Sequence, residues 1–140
     1  MVDLAWRRWG IVLRTKVLVI DDQVGIRALL TEVFTVLGYE VIEAGNGSEG
    51  LEVMDKRKPD IILLDMKMPG LSGIETLRLI RARNHHVPII LVTAYQENDM
   101  MAEAEKLGVT ARLVKPFDIE ELQRIVRRVS EIDDLLVAGT

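Results

Sequence analysis

The chain has 140 residues, 49 % hydrophobic and 29 % charged, with a formal net charge of -4, enough for one domain with its own core. The absence of cysteine excludes disulfides and thiolate metal sites, and the acidic balance gives no basis for general nucleic-acid binding. No apolar run reaches the roughly 20 residues of a membrane span, and the amino-terminal MVDLAWRRWGIVLRTK lacks a signal-peptide core, so a soluble cytoplasmic protein is expected.

Residues 1–14 come before the first patterned segment and read as a loosely packed extension. WRRW gives them basic and aromatic character but no assigned function. From there, short aliphatic runs alternate with segments of helical period. KVLVID (16–21) is the first strand. A helix over 26–37 follows, with Ile26, Leu29, Leu30, Val33, Phe34 and Leu37 on one face, and Gly38 stops it. YEVIEA (39–44) alternates like a half-exposed strand, and 46–58 is a short helix opened by turn residues. PDIILLD (59–65) is the third strand, MKMPGLSG a loop, and 74–83 a helix with Ile74, Leu77 and Ile80 on one side. VPIILVT (87–93), a helix over 98–107 closed by Gly108, and TARLVK (110–115) come next. The last helix opens around Pro116 and Asp118 and keeps helical spacing through Ile119, Leu122, Ile125, Val126 and Val129. The main domain is thus expected over 15–130, and 131–140 holds the end of that helix and a tail. Five strand–helix units in alternation predict an α/β fold with a parallel sheet. Runs this continuously aliphatic belong to strands covered on both faces.

The chemistry lies where those runs stop. VLVI ends in Asp21 and Asp22, IILL in Asp65, IILV in Thr93 and RLV in Lys115. Strands joined by crossover helices run the same way, so their carboxyl ends share one edge, where open α/β sheets bind ligands. Topology alone therefore gathers three carboxylates, a hydroxyl and an ammonium. Like charges this close push up one another's pKa unless a cation lies among them, and a hard divalent ion such as Mg²⁺ resolves the conflict. A carboxylate beside such an ion can act as a nucleophile toward phosphorus. Taken singly, each residue has an ordinary reading: Asp22 as a helix cap, Thr93 as a strand end, Lys115 as a solvated lysine. Together they point to a phosphoacceptor.

VLVIDD, PDIILLDMKMPG, LVTAY and KPF, in this order and at these intervals, resemble the receiver domain of bacterial two-component response regulators. That resemblance implies a doubly wound, flavodoxin-like fold of strand order 2-1-3-4-5 with five helices. It implies that Asp65 accepts a phosphoryl group from a phosphohistidine of a sensor histidine kinase. Asp22 would bind Mg²⁺ directly, Asp21 mainly through water, and Asp65 and the main-chain carbonyl of Lys67 would be further ligands. Thr93 and Lys115 would hold the acyl phosphate, and the Lys115–Pro116 bond would be cis. DDQVGIR and KPFDIEEL are similar, within that family, to the stand-alone receiver of a sporulation phosphorelay, which passes its phosphoryl group to a histidine phosphotransferase. The same likeness implies a monomer with a docking surface of Gln23, Gly25, Ile26, Leu29, Tyr95, Pro116 and Phe117. The spacing of Ile26 and Leu29 fits the core equally well.

One position departs from the family pattern. Arg112 stands three residues before Lys115, where many receivers carry an aromatic switch residue. His85 and His86 precede the fourth strand, at the edge away from Asp65, and read as a solvated loop. Two other functions stay open. One is a receiver acting on another target, such as the motility apparatus, by phosphorylation-dependent contact. The weaker is an aspartate-nucleophile phosphatase, which would want a second acid where Lys67 stands. A non-enzymatic signalling role is expected.

Overall fold

The computed structural model of the chain describes residues 15–94 and 98–138. Five strands, β1 (Lys16–Ile20), β2 (Glu40–Ala44), β3 (Ile61–Asp65), β4 (Ile89–Ala94) and β5 (Ala111–Lys115), form one sheet in the order β2-β1-β3-β4-β5. Every neighbouring pair is parallel. The helices between and after them are α1 (Val24–Val36), α2 (Gly47–Arg57), α3 (Gly73–Arg83), α4 (Asn98–Lys106) and α5 (Ile119–Ala138). This is the doubly wound, flavodoxin-like architecture that the resemblance implied.

The aliphatic runs explain themselves in this geometry. Successive strand residues point to opposite faces, and both faces are covered. Leu18, Ile20, Ile62, Leu64, Ile89 and Leu91 pack with Leu51 of α2, Leu77 of α3 and Ala104 of α4. The intervening Val17, Val19, Ile61, Leu63, Ile90 and Val92 pack with Leu30 and Phe34 of α1 and with Leu122, Val126 and Val129 of α5. The two edge strands, β2 and β5, keep partly exposed patterns.

Several boundaries move. Helix α1 begins at Val24, two residues earlier than its apolar period suggested, from a Gln23 cap that makes no side-chain bond. Asp22 is therefore not the helix cap. α5 starts at Ile119 rather than at Pro116, because the Asp118 side chain accepts the Glu121 amide at 2.7 Å and closes the first turn. β2 to β5 begin one or two residues later than the sequence reading placed them, β4 runs on to Ala94, and β1 starts as expected but ends at Ile20 rather than Asp21. Gly38 and Gly108 both take the left-handed conformation expected of a residue that ends a helix, at φ 93° and 76°. Leu37 and Ile119, placed on core faces, are instead exposed, and Leu29, which fitted core and docking surface equally, is exposed as well. Each sits at the margin of its apolar stripe, where period alone cannot separate core from solvent.

Candidate functional site

The register of the sheet assembles the site. Ile20 pairs with Leu64, Asp65 with Val92, and Thr93 with Val114. The residues that follow or end these strands therefore come level at the carboxyl edge. Asp21, Asp22 and Asp65 each offer a carboxylate oxygen, and the three oxygens lie within 4.8 Å of one another. Lys115 Nζ lies 3.5 Å from Asp65 Oδ1. Thr93 is buried at the same edge.

The loop after β1 is held from several sides. The Asp21 amide donates to the Ala44 carbonyl at 3.1 Å, and its side chain accepts the Gln23 amide at 2.8 Å. Arg27 reaches back from α1, donating to the Asp21 carbonyl at 2.7 Å while lying 3.5 Å from Glu43 on β2. No reading of the sequence singled out Arg27. Its signal would have been a cation six residues after Asp21, with no acidic partner on its own helix.

The loop after β3 is set by a close approach. The Gly73 amide donates to the Met66 carbonyl at 3.0 Å. A Cβ on Gly73 would lie 2.5 Å from Met66 Cα and 2.8 Å from the Asp65 carbonyl oxygen. Only glycine lets the first turn of α3 rest on the backbone that carries Asp65. The side chain of Ser72 caps that helix by accepting the Glu75 amide at 3.2 Å. Lys67 turns its side chain to solvent, and its amide donates to Asp65 Oδ1 at 3.4 Å.

Electrostatically the cluster is unbalanced. Burial, and then the charge of Asp21, push the Asp65 carboxyl up to about 6, against the opposing pull of Lys115 and the Lys67 amide. Burial also raises Asp21, although the Gln23 amide and Lys115 oppose it. One ammonium does not neutralise three acids. The donors are hard oxygens, converge from two loops and carry excess negative charge, which fits a divalent cation of the Mg²⁺ type.

Of the expected docking residues, Gln23, Gly25 and Pro116 are exposed and Phe117 is half-buried. Ile26 packs partly against the α1–α5 core, whereas Leu29 stands largely outside it. Tyr95 lies outside the described residues, as does the 1–14 extension. The Lys115–Pro116 bond is cis. Arg112 is exposed on β5, and His85 and His86 are exposed at the opposite edge of the sheet.

The model of the response regulator receiver domain matches residues 17–127. The chain belongs to the response regulator receiver family. Among proteins similar to this receiver, sporulation initiation phosphotransferase F of Bacillus subtilis is 44 % identical over 113 residues, 81 % of this chain and 91 % of that protein. Regulatory protein AtoC of Escherichia coli is 34 % identical over 120 residues, but this chain spans only 26 % of its length. Chemotaxis protein CheY4 of Vibrio cholerae superposes with a TM-score of 0.79 at 33 % identity, covering 84 % of this receiver and 99 % of that chain. Among the described residues, no helix is long and apolar enough to cross a membrane.

Proposed function

We propose that Asp65 accepts a phosphoryl group from a phosphohistidine of a sensor histidine kinase and hands it to a histidine phosphotransferase, in a phosphorelay for sporulation initiation. The observation that carries this reading is the meeting of three carboxylate oxygens within 4.8 Å, one of them 3.5 Å from Lys115 Nζ, at the ligand-binding edge of the sheet. The likeness to the Bacillus phosphotransferase, over nearly all of that protein's length, supports the relay role.

In the transfer an Asp65 carboxylate oxygen attacks phosphorus in line with the leaving imidazole. The O–P bond forms, the P–N bond breaks, and its electron pair returns to the ring nitrogen. Asp22, Asp21, Asp65 and the main-chain carbonyl of Lys67 would hold Mg²⁺, which supplies charge neutralisation for the phosphoryl oxygens when bound. Lys115 lies close enough to follow one of those oxygens as the Asp65 charge is spent. Thr93 offers a hydroxyl from the adjoining strand. Transfer onward reverses the same bonds. The chain is thus a signalling phosphoacceptor rather than a turnover enzyme, with its receiver unit over 15–130, working as a cytoplasmic monomer. Gln23, Gly25, Ile26, Leu29, Tyr95, Pro116 and Phe117 would form the docking surface for both partners. Arg112 fits this role, since a relay that passes phosphate on has less need of an aromatic switch.

Incubation with acetyl phosphate and Mg²⁺ should add one phosphoryl group by intact mass, lost in Asp65→Ala. A folded wild-type protein that stays unmodified overturns the phosphoacceptor reading. Return transfer to a phosphotransferase histidine supports the relay. Its absence favours a receiver that acts on a target by contact.

A further inference from the structure

The three carboxylates of the site are not held alike. Asp65 ends β3 and Asp21 directly follows β1, so the sheet fixes both. Asp22 stands half-buried in the turn before α1, where only the peptide units on either side of it set its place. Like charges this close repel, and the carboxylate on the turn is the one that the sheet does not restrain. The orientation of the Asp21–Asp22 peptide therefore decides whether the three oxygens stay together.

That peptide is tied to its neighbours. The Asp21 amide donates to the Ala44 carbonyl of β2 at 3.1 Å. The Asp21 carbonyl, which belongs to the peptide leading into Asp22, accepts Arg27 Nη1 at 2.7 Å. Arg27 is rooted in the first turn of α1, where its amide donates to the Gln23 carbonyl at 3.0 Å. Its Nε lies 3.5 Å from Glu43 Oε1 on β2, so one planar fork spans the turn and the edge strand. The next turn leaves room for it. A Cβ on Gly45 would lie 3.3 Å from Arg27 Nη1, and the Gly45 amide is itself held by Glu49 Oε2 at 3.2 Å. The Arg27 side chain is 18 % exposed, which limits the access of competing water, whereas Glu43 is 43 % exposed. An ion pair with a partner that open adds little stability. What the fork adds is orientation.

We propose that Arg27 is a positioning residue for the divalent cation: by locking the Asp21–Asp22 peptide against β2, it keeps the Asp22 carboxylate beside Asp21 and Asp65 before any ion arrives. This role rests on the reading of the cluster as a Mg²⁺ site. Groups that orient metal ligands from outside the coordination sphere are worth about 10–100-fold in affinity.

Charge and orientation predict opposite signs for Arg27. As a charge it opposes a cation, so its removal should tighten Mg²⁺ binding. As a positioning residue, its removal should loosen it. The measurement is the rise in the urea midpoint of the unphosphorylated protein with Mg²⁺ concentration, which yields the dissociation constant without any phosphotransfer. Arg27→Gln should weaken Mg²⁺ binding by about tenfold. Arg27→Lys should recover part of that loss, because an ammonium can reach the Asp21 carbonyl but cannot also span to Glu43. Glutamine and lysine both sustain a helix, so circular dichroism should stay native. Tighter or unchanged Mg²⁺ binding in Arg27→Gln overturns the proposal. A lower urea midpoint in chelator with an unchanged Mg²⁺ constant makes Arg27 a structural clamp only and overturns it equally. A wild-type midpoint that ignores Mg²⁺ removes the metal site itself, and the Mg²⁺ reading falls together with this role.

Discussion

Both edges of the sheet bury charge, and they treat it in opposite ways. At the amino edge, Arg81 of α3 is buried, yet every nitrogen of its guanidinium finds oxygen: Leu107 at 2.7 Å, Val87 at 2.8 Å, Gly108 at 2.8 Å and Asn84 at 3.2 Å. These are main-chain carbonyls from the loop before β4 and from the end of α4. One cation ties them together, and although burial lowers its pKa, arginine stays charged. At the carboxyl edge, Asp65 is 4 % exposed and faces another buried acid, Asp21. A buried charge whose neighbours complete it is structure. A buried charge whose neighbours conflict with it is unfinished until something binds.

The most severe way to test that contrast is to remove the satisfied charge. Arg81→Ala leaves buried carbonyls without donors, each costing about 1–3 kcal/mol when water cannot replace the bond. A loss of about 3 kcal/mol or more in urea unfolding is expected, with the m-value unchanged. The surviving folded fraction should still be phosphorylated, because Arg81 is on the far side of the sheet from Asp65. A loss below about 1 kcal/mol would place Arg81 among ordinary surface cations and break the comparison.

How legible each edge is in the sequence follows from the same contrast. The strands and their carboxyl-end polar residues stand out because aliphatic runs stop abruptly at Asp21, Asp65, Thr93 and Lys115, and parallel topology does the gathering. Strand order, ligand assignments and the cis proline came from family likeness instead. Arg81 went unread, although it lies four residues after Leu77 and seven after Ile74, on the buried stripe of α3. A charged residue in such a place is ordinarily taken as solvated, and its partners, spread from Asn84 to Gly108, leave no local pattern. Gly73 was hidden for a related reason: what it approaches is the backbone of β3, which composition does not display. Leu29 and Ile119 show the limit of periodicity, which marks a stripe but not which of its margins is covered.

The smaller and more diagnostic effect is at the unfinished edge. Ionising a carboxyl whose pKa has risen from 3.8 to about 6 costs the metal-free fold on the order of 3 kcal/mol at most. Asp65→Asn should therefore stabilise the metal-free protein by that order while abolishing phosphorylation, the reverse of Arg81→Ala in both respects. The sign of the pH dependence follows from the same shift. Between 3.8 and about 6 the folded state keeps a proton on Asp65 that the unfolded chain has already released. This residue's contribution to stability therefore falls as pH rises through that window. The advantage of Asp65→Asn over wild type, measured in chelator, should be largest near pH 7 and shrink toward pH 5. Added Mg²⁺ at pH 7 should narrow the gap from the other side, because a cation among the three carboxylates removes the conflict that the substitution removes. An Asp65→Asn variant less stable than wild type in chelator would mean that Lys115 and the Lys67 amide already complete the charge. The two edges would then differ only in sign.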